Sequence, residues 1–368
     1  MTTQAAQGAM SAMRATVAVV IPCYRVGRHV LRVIRAVPDF VDLIICVDDC
    51  CPEKSGDLIR REANDPRVRV VDNPVNLGVG GAMVTGYRAA IELGATVAVK
   101  IDGDGQMDPA LIARFVAPIL DGGADYTKGN RFYRPESLAK MPAMRLFGNA
   151  VLSFMSKMST GYWNLFDPTN GYTAVHTAVL GQLPLDKISK RYFFESDLLF
   201  RLNTVRAVVV DVPMDAVYED EKSNLSISKI VIPFMFGHLR NTLKRLVYNY
   251  FLRDFNLASL HWVLGPILLA FGVVFGAYQW LISLQTGITA SAGTVMLSAL
   301  PIIVGVQMIL SAFNFDIANV PRRPLHLDLA AIEMARTSVH QLIAALRSGP
   351  ATTLGERRDV TTLPSSRA

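Results

Sequence analysis

Residues 96–106 read Thr-Val-Ala-Val-Lys-Ile-Asp-Gly-Asp-Gly-Gln and decide the fold of the N-terminal part of this chain. The apolar, β-branched start of the stretch predicts a buried strand over residues 96–101. Asp102 and Asp104 follow that strand directly and are separated by one glycine. Because alternate side chains of an extended segment share a direction, both carboxylates can face one ligand. This D-x-D turn, residues 102–106, therefore predicts a ligand site at the end of a strand.

Strand and helix patterns alternate on the N-terminal side of this stretch and just beyond it. Predicted strands cover residues 16–21, 43–47, 67–71 and 96–101, and predicted helices cover residues 25–37, 54–63, 79–93 and 109–117. Pro118 is expected to end the last of these helices. The alternation predicts an α/β fold whose parallel sheet carries helices on both faces. Such sheets bind ligands beyond the carboxyl ends of their strands, where the D-x-D turn lies.

Two further motifs follow predicted strands. Asp48 and Asp49 end the second strand, where a carboxylate can accept hydrogen bonds from a nucleotide base or ribose, or else cap a turn. Residues 76–81, Asn-Leu-Gly-Val-Gly-Gly, precede a helix, so Asn76 and Gly80 are candidates to admit phosphate oxygens to backbone N–H groups. Turn formation and close packing explain the same glycines equally well. The motif lacks the spacing of the dinucleotide-binding fingerprint.

The C-terminal half carries two candidate membrane spans. Residues 255–315 contain no Lys, Arg, Asp or Glu, and two apolar runs within them cover residues 258–284 and 293–313. Each run reaches the roughly 20 residues that a helix needs to cross a bilayer. Basic residues lie before the first run and after the second, whereas the intervening loop has none. The distribution predicts a multi-pass membrane protein with both termini and the catalytic domain in the cytoplasm.

The segments around the spans have their own patterns. Residues 227–254 mix apolar and basic side chains, which is typical of interfacial amphipathic helices and also of a helix that packs on the N-terminal domain. A cytoplasmic helical region is predicted over residues 316–347. Residues 1–14 and 348–368 have the composition of disordered segments. The N-terminal domain is thereby expected to occupy residues 15–226.

Composition limits the classes of partner. The chain has 368 residues, 51% of them hydrophobic, and a formal net charge of +6. The positive charge suits anionic partners such as phosphates or an acidic membrane surface. A dense basic stripe with interleaved aromatic residues is absent from the sequence, so we expect no nucleic-acid partner.

The motifs occur in an order that resembles family 2 glycosyltransferases. The order is residues 21–24 (Ile-Pro-Cys-Tyr), 47–49 (Val-Asp-Asp), 76–82, 102–106 and 128–131 (Lys-Gly-Asn-Arg). With the two C-terminal spans, the chain is similar to dolichol-phosphate-mannose synthases and bacterial polyprenyl-phosphate glycosyltransferases over residues 15–315. The resemblance implies a GT-A fold, a nucleotide-diphosphate sugar donor, either UDP- or GDP-linked, and Mg²⁺ or Mn²⁺ as cofactor.

The resemblance also implies roles for individual residues. Those implied to hold the nucleotide are Pro22, Tyr24, Asp49 and Asp102. The metal and the diphosphate would lie at Asp102, Asp104 and Gln106, since two hard oxygen ligands suit such a cation. Phosphates of donor or acceptor would bind Arg131 and Arg145, because guanidinium pairs with phosphate in a bidentate manner. Asp167 would line the sugar or acceptor side, and Lys222 with Ser223 would lie on a loop that closes over the diphosphate.

The mechanism depends on whether the acceptor is a hydroxyl or a phosphate. A hydroxyl acceptor needs a general base, and Glu195 and Asp197 resemble the acidic motif that carries it. Those acids can instead bind sugar hydroxyls or an arginine such as Arg201. A lipid phosphate is largely ionised at neutral pH and needs positive charge rather than a base. The two spans favour the phosphate, with inverting transfer to undecaprenyl phosphate at the inner membrane.

Other activities remain open from the sequence alone. One alternative is transfer to a hydroxyl of a lipid-diphosphate-linked saccharide or of a glycolipid. A processive synthase is disfavoured by the presence of only two spans, and a catalytically inactive membrane scaffold is disfavoured by the intact Asp102 and Asp104. Association into dimers or tetramers is expected from the resemblance. The sequence specifies neither the sugar nor the nucleotide.

Overall fold

The computed structural model of the chain describes residues 15–133, 143–167, 170–214 and 227–348. The chain divides after Leu327 into two compact units, and the first contains the whole sheet. The sheet has seven strands in the order β3-β2-β1-β4-β6-β5-β7. These strands are β1 Val17–Cys23, β2 Leu43–Asp48, β3 Val68–Asp72, β4 Val97–Lys100, β5 Tyr126–Asn130, β6 Thr173–His176 and β7 Val209–Pro213.

The helices connect the strands and continue beyond the sheet. Their bounds are α1 Val30–Ala36, α2 Ser55–Glu62, α3 Val79–Glu92, α4 Ile112–Leu120, α5 Ala143–Thr160, α6 Thr177–Leu180, α7 Phe194–Thr204, α8 Ile227–Val247, α9 Leu257–Thr286, α10 Ala292–Ala318 and α11 Leu325–Ser348. Pro118 lies inside α4 rather than at its end. The prediction that Pro118 stops this helix is therefore wrong; the helix continues to Leu120.

The four predicted strands, observed as β1 to β4, run parallel as the sequence predicts, and one later strand makes the whole sheet mixed. β6 runs antiparallel to both β4 and β5, whereas the other neighbouring pairs are parallel. The chain enters β6 from Asn170 and Gly171, at the edge where β4 ends, and runs back across the sheet. The reversed strand therefore begins beside the predicted ligand site. Periodicity identifies a strand but carries no information on its direction.

Two apolar clusters cover the two faces of the sheet. Ala18 and Val20 of β1 point to the face covered by α3 and α7, while Val17, Val19 and Ile21 point to the face covered by α1, α2 and α4. This alternation follows from the two-residue period of a strand. A central strand buried on both faces reads as a continuous apolar run, which is the pattern of residues 16–21.

Helices α9 and α10 form an apolar hairpin. They have mean hydropathies of 2.0 and 2.1 over their best windows, and 22% and 11% of those windows are buried within the protein. Both are long and apolar enough to cross a membrane, and their mostly exposed apolar side chains suit lipid contact better than a soluble core. Gly265 and Gly305 allow the close approach, since a Cβ on Gly305 would lie 2.7 Å from the backbone nitrogen of Leu269.

A buried polar cluster, the Asp316 junction, joins the hairpin to the sheet domain. Asp316 of α10 accepts hydrogen bonds from Arg245 Nη1 and Nη2 of α8, at 2.6 and 2.9 Å. It also accepts from Tyr250 Oη at 2.5 Å and from Trp163 Nε1 at 2.7 Å. Arg245 in turn donates to the carbonyl oxygen of Met158 at the end of α5. The junction therefore ties α10, α8 and the domain together.

The inner face of helix α8 agrees with the second interpretation of residues 227–254, a helix that packs on the N-terminal domain. His238, Asn241 and Arg245 are buried on that face, where His238 Nδ1 lies 2.7 Å from Ser159 Oγ. Arg245 does not face lipid headgroups, because its guanidinium is committed to Asp316. The opposite face exposes apolar side chains at helical spacing: Ile232, Phe236, Leu239 and Leu243.

The chain returns to the domain after α10. Asp125, at the start of β5, accepts hydrogen bonds from the backbone nitrogens of Leu325 and His326 at 2.7 and 2.9 Å. The His326 ring lies 2.7 Å from Asp125 and stacks on His176, with 4.5 Å between ring centroids. Burial, followed by the neighbouring His326, lowers the pKa of His176 to about 4. This contact holds the start of α11 on the domain.

Candidate active site

The carboxyl ends of three parallel strands place the predicted site residues along one edge of the sheet. Strand β1 ends beside β2, where Cys23 pairs with Asp48, and β4 ends at Lys100, next to Val20 of β1. Pro22 lies in this edge, and Tyr24 just beyond it is 42% exposed with the guanidinium of Arg25 over its ring. An exposed aromatic ring at the strand ends is available for stacking on a base.

Lys100 is the centre of the most densely charged part of the site. Its ammonium lies 2.9 Å from Asp102 Oδ1 and 3.6 Å from Glu195 Oε1, and it donates to the carbonyl oxygen of Gly171 at 3.1 Å. The side chain is only 2% exposed. Burial alone would lower the pKa of Lys100, but the carboxylates of Asp102 and Glu195 raise it instead, so the lysine is charged. This lysine therefore links the D-x-D turn, the start of β6 and the first turn of α7.

The D-x-D turn is held in a tight conformation. Gly105 adopts a φ of +85°, a region that suits glycine, and a Cβ there would lie 2.6 Å from Arg32 Nη2. Asp104 Oδ1 accepts a hydrogen bond from the backbone nitrogen of Gln106 at 3.0 Å. Asp102, Asp104 and Gln106 are all partly exposed. The turn thus presents two carboxylates and one amide on a short, fixed segment.

These residues fit a divalent cation only in combination with a ligand. Within the described parts of the chain, no three His, Cys, Asp or Glu side chains form a group that can hold a metal alone. Mg²⁺ in such sites commonly takes one or two carboxylates and completes its shell with substrate phosphates and water. Asp102 and Asp104 match that donor set, with Gln106 beside them. The turn is therefore compatible with a metal that shares its ligands with a diphosphate.

Arg131, which directly follows β5, forms an ion pair with Asp167. Arg131 Nε and Nη2 donate to the two oxygens of Asp167 at 2.8 and 3.1 Å. The carboxylate is fully buried, whereas the arginine side chain is 32% exposed. Burial would raise the pKa of Asp167, but the guanidinium lowers it below its usual value. The pair therefore leaves the guanidinium partly exposed while the buried carboxylate fixes its orientation.

Asp48 and Asp49 have backbone partners. Asp48 accepts from the backbone nitrogens of Cys51 and Gly56 at 2.7 and 2.6 Å, which fixes the turn into α2. Asp49 accepts from the backbone nitrogens of Leu77 and Gly78, at 2.9 and 2.7 Å, and from the side chain of Asn73. Asn76 donates to the Asp49 carbonyl oxygen. The geometry favours turn formation for both acids, and direct contact with a nucleotide stays a prediction.

The start of α3 is occupied by protein rather than open to phosphate. The backbone nitrogens of Gly80 and Gly81 both donate to the carbonyl oxygen of Lys190, at 2.9 and 3.2 Å. A Cβ on Gly80 would lie 2.3 Å from the carbonyl oxygen of Ser189. The geometry favours the close-packing interpretation of Gly80, in which α3 packs on the segment before α7, and phosphate binding stays a prediction.

Glu195 and Asp197 occupy different environments. Glu195 is partly exposed and faces Lys100 inside the site. Asp197 is 1% exposed and accepts from Ser189 N, Asn241 Nδ2 and Arg201 Nε at 2.9, 3.0 and 3.2 Å. The geometry favours a structural role for Asp197, whose carboxylate is enclosed by these partners, and its catalytic assignment stays a prediction. Its pairing with Arg201 is the alternative that the sequence left open.

Three predicted site residues lie wholly or partly outside the described part of the chain. Arg145 lies in the first turn of α5, and its side chain is outside the described part of the chain. Lys222 and Ser223 also lie outside the described residues.

Sequence reasoning missed the two buried lysines. Lys100 ends β4, and Lys128 lies in β5 with its ammonium donating to the carbonyl oxygen of Asn170. Burial lowers the pKa of Lys128 to about 8, although Asp167 and other carboxylates act in the opposite direction. The signal was a lysine inside an otherwise apolar strand, at Val-Lys-Ile. A buried charge needs partners, and such partners gather where polar chemistry takes place.

Comparison with known proteins identifies the family. The model of glycosyl transferase family 2 matches residues 18–183. The UDP-N-acetylglucosamine–dolichyl-phosphate N-acetylglucosaminyltransferase of Methanococcus voltae is 28% identical over 215 residues, which cover 55% of this chain and 85% of that protein. The undecaprenyl-phosphate mannosyltransferase of Micrococcus luteus is 32% identical over 173 residues, which cover 46% of this chain and 70% of that protein.

One solved structure is similar to this chain at low identity. Glucosyl-3-phosphoglycerate synthase from Mycobacterium tuberculosis, in complex with Mn²⁺, uridine diphosphate and glucosyl-3-phosphoglycerate, is 19% identical with a TM-score of 0.47. The match covers 67% of this chain and 84% of that enzyme. The family match, the mixed sheet and the D-x-D turn at the end of β4 agree with one another. The chain belongs to the family 2 glycosyltransferases, and its catalytic domain has the GT-A fold.

Proposed function

We propose that this glycosyltransferase moves a sugar from a nucleotide-diphosphate sugar to a polyprenyl phosphate, with inversion at the anomeric carbon. The observation that carries the proposal is the pairing of both candidate bases with cations. Glu195 faces Lys100, and Asp197 is enclosed with Arg201. A base must reach the acceptor proton within about 2.6–3.2 Å, whereas Asp197 is enclosed by its partners and Glu195 is engaged in an ion pair. An acceptor that is already ionised has no such requirement.

A phosphate acceptor suits the charges of the site. The second pKa of a phosphate monoester is about 6, so the attacking oxygen is largely deprotonated at neutral pH. Arg131 is oriented by the buried Asp167 and is partly exposed, which allows it to pair with a phosphate of the acceptor or the donor. Arg145, Lys222 and Ser223 are proposed to assist from the neighbouring segments. The task of these residues is to position an anion against the anomeric carbon.

The donor is proposed to bind along the strand ends. Tyr24 and Pro22 would contact the base, and Asp49 would shape the loop beside the ribose. Asp102, Asp104 and Gln106 would hold Mg²⁺ or Mn²⁺ together with the diphosphate. The metal stabilises the charge that develops on the leaving nucleoside diphosphate. Donor binding would thus bring the anomeric carbon to the charged cluster around Lys100.

The lipid is proposed to approach from the membrane hairpin. Helices α9 and α10 would span the inner membrane, with the catalytic domain and both termini in the cytoplasm. The exposed apolar face of α8 would lie in the interface, with Arg240 and Lys244 among the anionic headgroups. The Asp316 junction then sets the height of the site above the bilayer. A dimer or tetramer is proposed to enclose the polyprenyl chain.

The relatives support the carrier more strongly than the sugar. Both carry a polyprenyl-type phosphate in their names, dolichyl phosphate in one and undecaprenyl phosphate in the other. The sugars in those names differ, N-acetylglucosamine against mannose. The acceptor class is therefore the firmer part of the proposal, and undecaprenyl phosphate is the carrier we propose. Its competitor is a hydroxyl on a lipid-diphosphate-linked saccharide, which would need Glu195 as base.

The test is a transfer assay with purified full-length protein in detergent. Radiolabelled UDP- and GDP-sugars are offered one at a time with undecaprenyl phosphate and Mn²⁺ or Mg²⁺. Label that moves into the organic phase with one donor would establish the reaction and identify the sugar. Asp104→Asn serves as the background control. Absence of transfer with every donor, in protein that binds nucleotide, would contradict a lipid-phosphate acceptor.

A further inference from the structure

The inference concerns Lys100 and rests on the proposed metal and nucleotide site. Its ammonium lies inside the protein, 2.9 Å from Asp102 Oδ1, and it also contacts Gly171 and Glu195. Asp102 and the carbonyl oxygen of Gly171 lie within hydrogen-bond distance of this ammonium, and Glu195, at 3.6 Å, is an ion-pair contact. Lys100 is therefore directed at the D-x-D turn by contacts from three different segments.

This position has a consequence for metal binding. One oxygen of Asp102, the first carboxylate of the turn, already has a cation as partner. A divalent ion that approached this carboxylate would be repelled by the fixed ammonium and would compete with it for the same group. Asp104 Oδ1 in turn accepts the backbone N–H of Gln106. Without a substrate, the turn is a poor site for a cation.

A nucleoside diphosphate changes this balance. Its negative charges offset the ammonium, and its oxygens supply the ligands that the turn lacks. We propose that Lys100 acts as an internal counter-ion, which suppresses metal binding to the empty turn and makes the metal enter together with the diphosphate. Lys100 is a positioning residue in this scheme, since it acts through Asp102.

The chain offers a matched control for this role. Lys128 is also fully buried, lies in the neighbouring part of the sheet and pairs with the same residue of β6, Thr173. Its ammonium donates to the carbonyl oxygen of Asn170. At pH 7, below the pKa of about 8 of Lys128, Lys100→Met and Lys128→Met remove nearly the same charge from similar depth, but only the first removes the partner of Asp102.

The test is a Mn²⁺ titration of the full chain in detergent, followed by electron paramagnetic resonance of the unbound ion. Each protein is titrated alone and with a saturating nucleoside diphosphate, UDP and GDP in separate runs. We expect Lys100→Met to bind Mn²⁺ at least about tenfold more tightly than wild type without nucleotide, and the difference to shrink with nucleotide. Lys128→Met should stay within about twofold of wild type without nucleotide. Adding Asp104→Asn to Lys100→Met should abolish the gain.

Folding is checked by thermal melts, and Lys100→Met/Glu195→Gln replaces the single variant if the single variant does not fold, since it leaves one fewer uncompensated carboxylate. If a folded Lys100 variant binds Mn²⁺ without nucleotide with an affinity within twofold of wild type, the inference is overturned and the proposed function is not affected. An equal gain in Lys128→Met would also overturn it, because the effect would then be general. If wild type binds nucleotide but no Mn²⁺ in its presence, the proposed metal is wrong and the inference falls with it.

Discussion

Replacement of Asp316 by asparagine tests the junction between the membrane hairpin and the catalytic domain. The side chains of Asp316 and Arg245 are 4% and 1% exposed, and two hydrogen bonds of 2.6 and 2.9 Å connect them. Removing one partner of a buried ion pair costs about 3–5 kcal/mol, because the remaining charge stays buried without compensation. Asparagine also turns an N–H donor toward a cluster of donors from Arg245, Tyr250 and Trp163.

A thermal melt in detergent, followed by tryptophan fluorescence, measures this loss. A destabilisation of that size should lower Tm by about 6 °C or more, at about 2 °C for each kcal/mol in a protein of this size. Glu333→Gln is the control, since its pair with Arg336 spans 4.0 Å between side chains about 70% exposed. Such a surface pair contributes roughly 0–1 kcal/mol. A Tm of Asp316→Asn within the shift of the control would refute the junction's structural role.

The double variant Arg245→Met/Asp316→Leu separates two causes of that loss. If an uncompensated charge is responsible, removal of both charges should restore most of the lost Tm, because replacement of a buried ion pair by apolar side chains is often neutral for stability. A double variant that is as unstable as Asp316→Asn would instead assign the loss to the hydrogen bonds of Tyr250 and Trp163.

Three further predictions concern catalysis and pH. Glu195→Gln should lower transfer less than about tenfold if the acceptor is a phosphate, and a loss of 10²–10⁴-fold in kcat would indicate a general base. Asp104→Asn should lower metal-dependent transfer by at least about 100-fold with an unchanged Tm; unchanged turnover would contradict the metal assignment. Burial and the neighbouring His326 lower the pKa of His176 to about 4. Between pH 6.5 and 4, His176 is therefore protonated in the unfolded chain and neutral in the folded protein, which lowers stability as the pH falls. Wild type should therefore lose about 1–2 kcal/mol more stability between pH 7 and 5 than His176→Gln, as measured by denaturant melts; equal losses would contradict this.

The sequence predicts the fold and the D-x-D turn because both depend on local pattern. The apolar period of residues 16–21 and 96–101 specifies buried strands, and the acids directly after residue 101 must lie at their carboxyl ends. The uncharged stretch of residues 255–315 specifies two long apolar helices, observed as α9 and α10. These predictions need no knowledge of which segments meet in space.

The remaining features depend on contacts between distant segments. Asp197 resembles a catalytic acid in sequence, but Asn241 of α8 and Ser189 enclose it, a contact that residue spacing cannot reveal. Gly80 resembles a phosphate loop, but the carbonyl oxygens of Ser189 and Lys190 occupy that space. Arg245 has the sequence pattern of an interfacial residue and is buried by Asp316, 71 residues further along the chain. In each case the partner is remote in sequence, so only the folded chain assigns the role.

The central claim is that the acceptor is a lipid phosphate, and a competition assay tests it most directly. Undecaprenyl phosphate and an undecaprenyl-diphosphate-linked monosaccharide are offered at equal concentration in one tube with the active donor, and the lipid products are identified by mass. The account predicts that the dominant product carries one sugar and one phosphate on the polyprenol. A dominant product with two sugars and two phosphates would contradict it and would make a hydroxyl the acceptor.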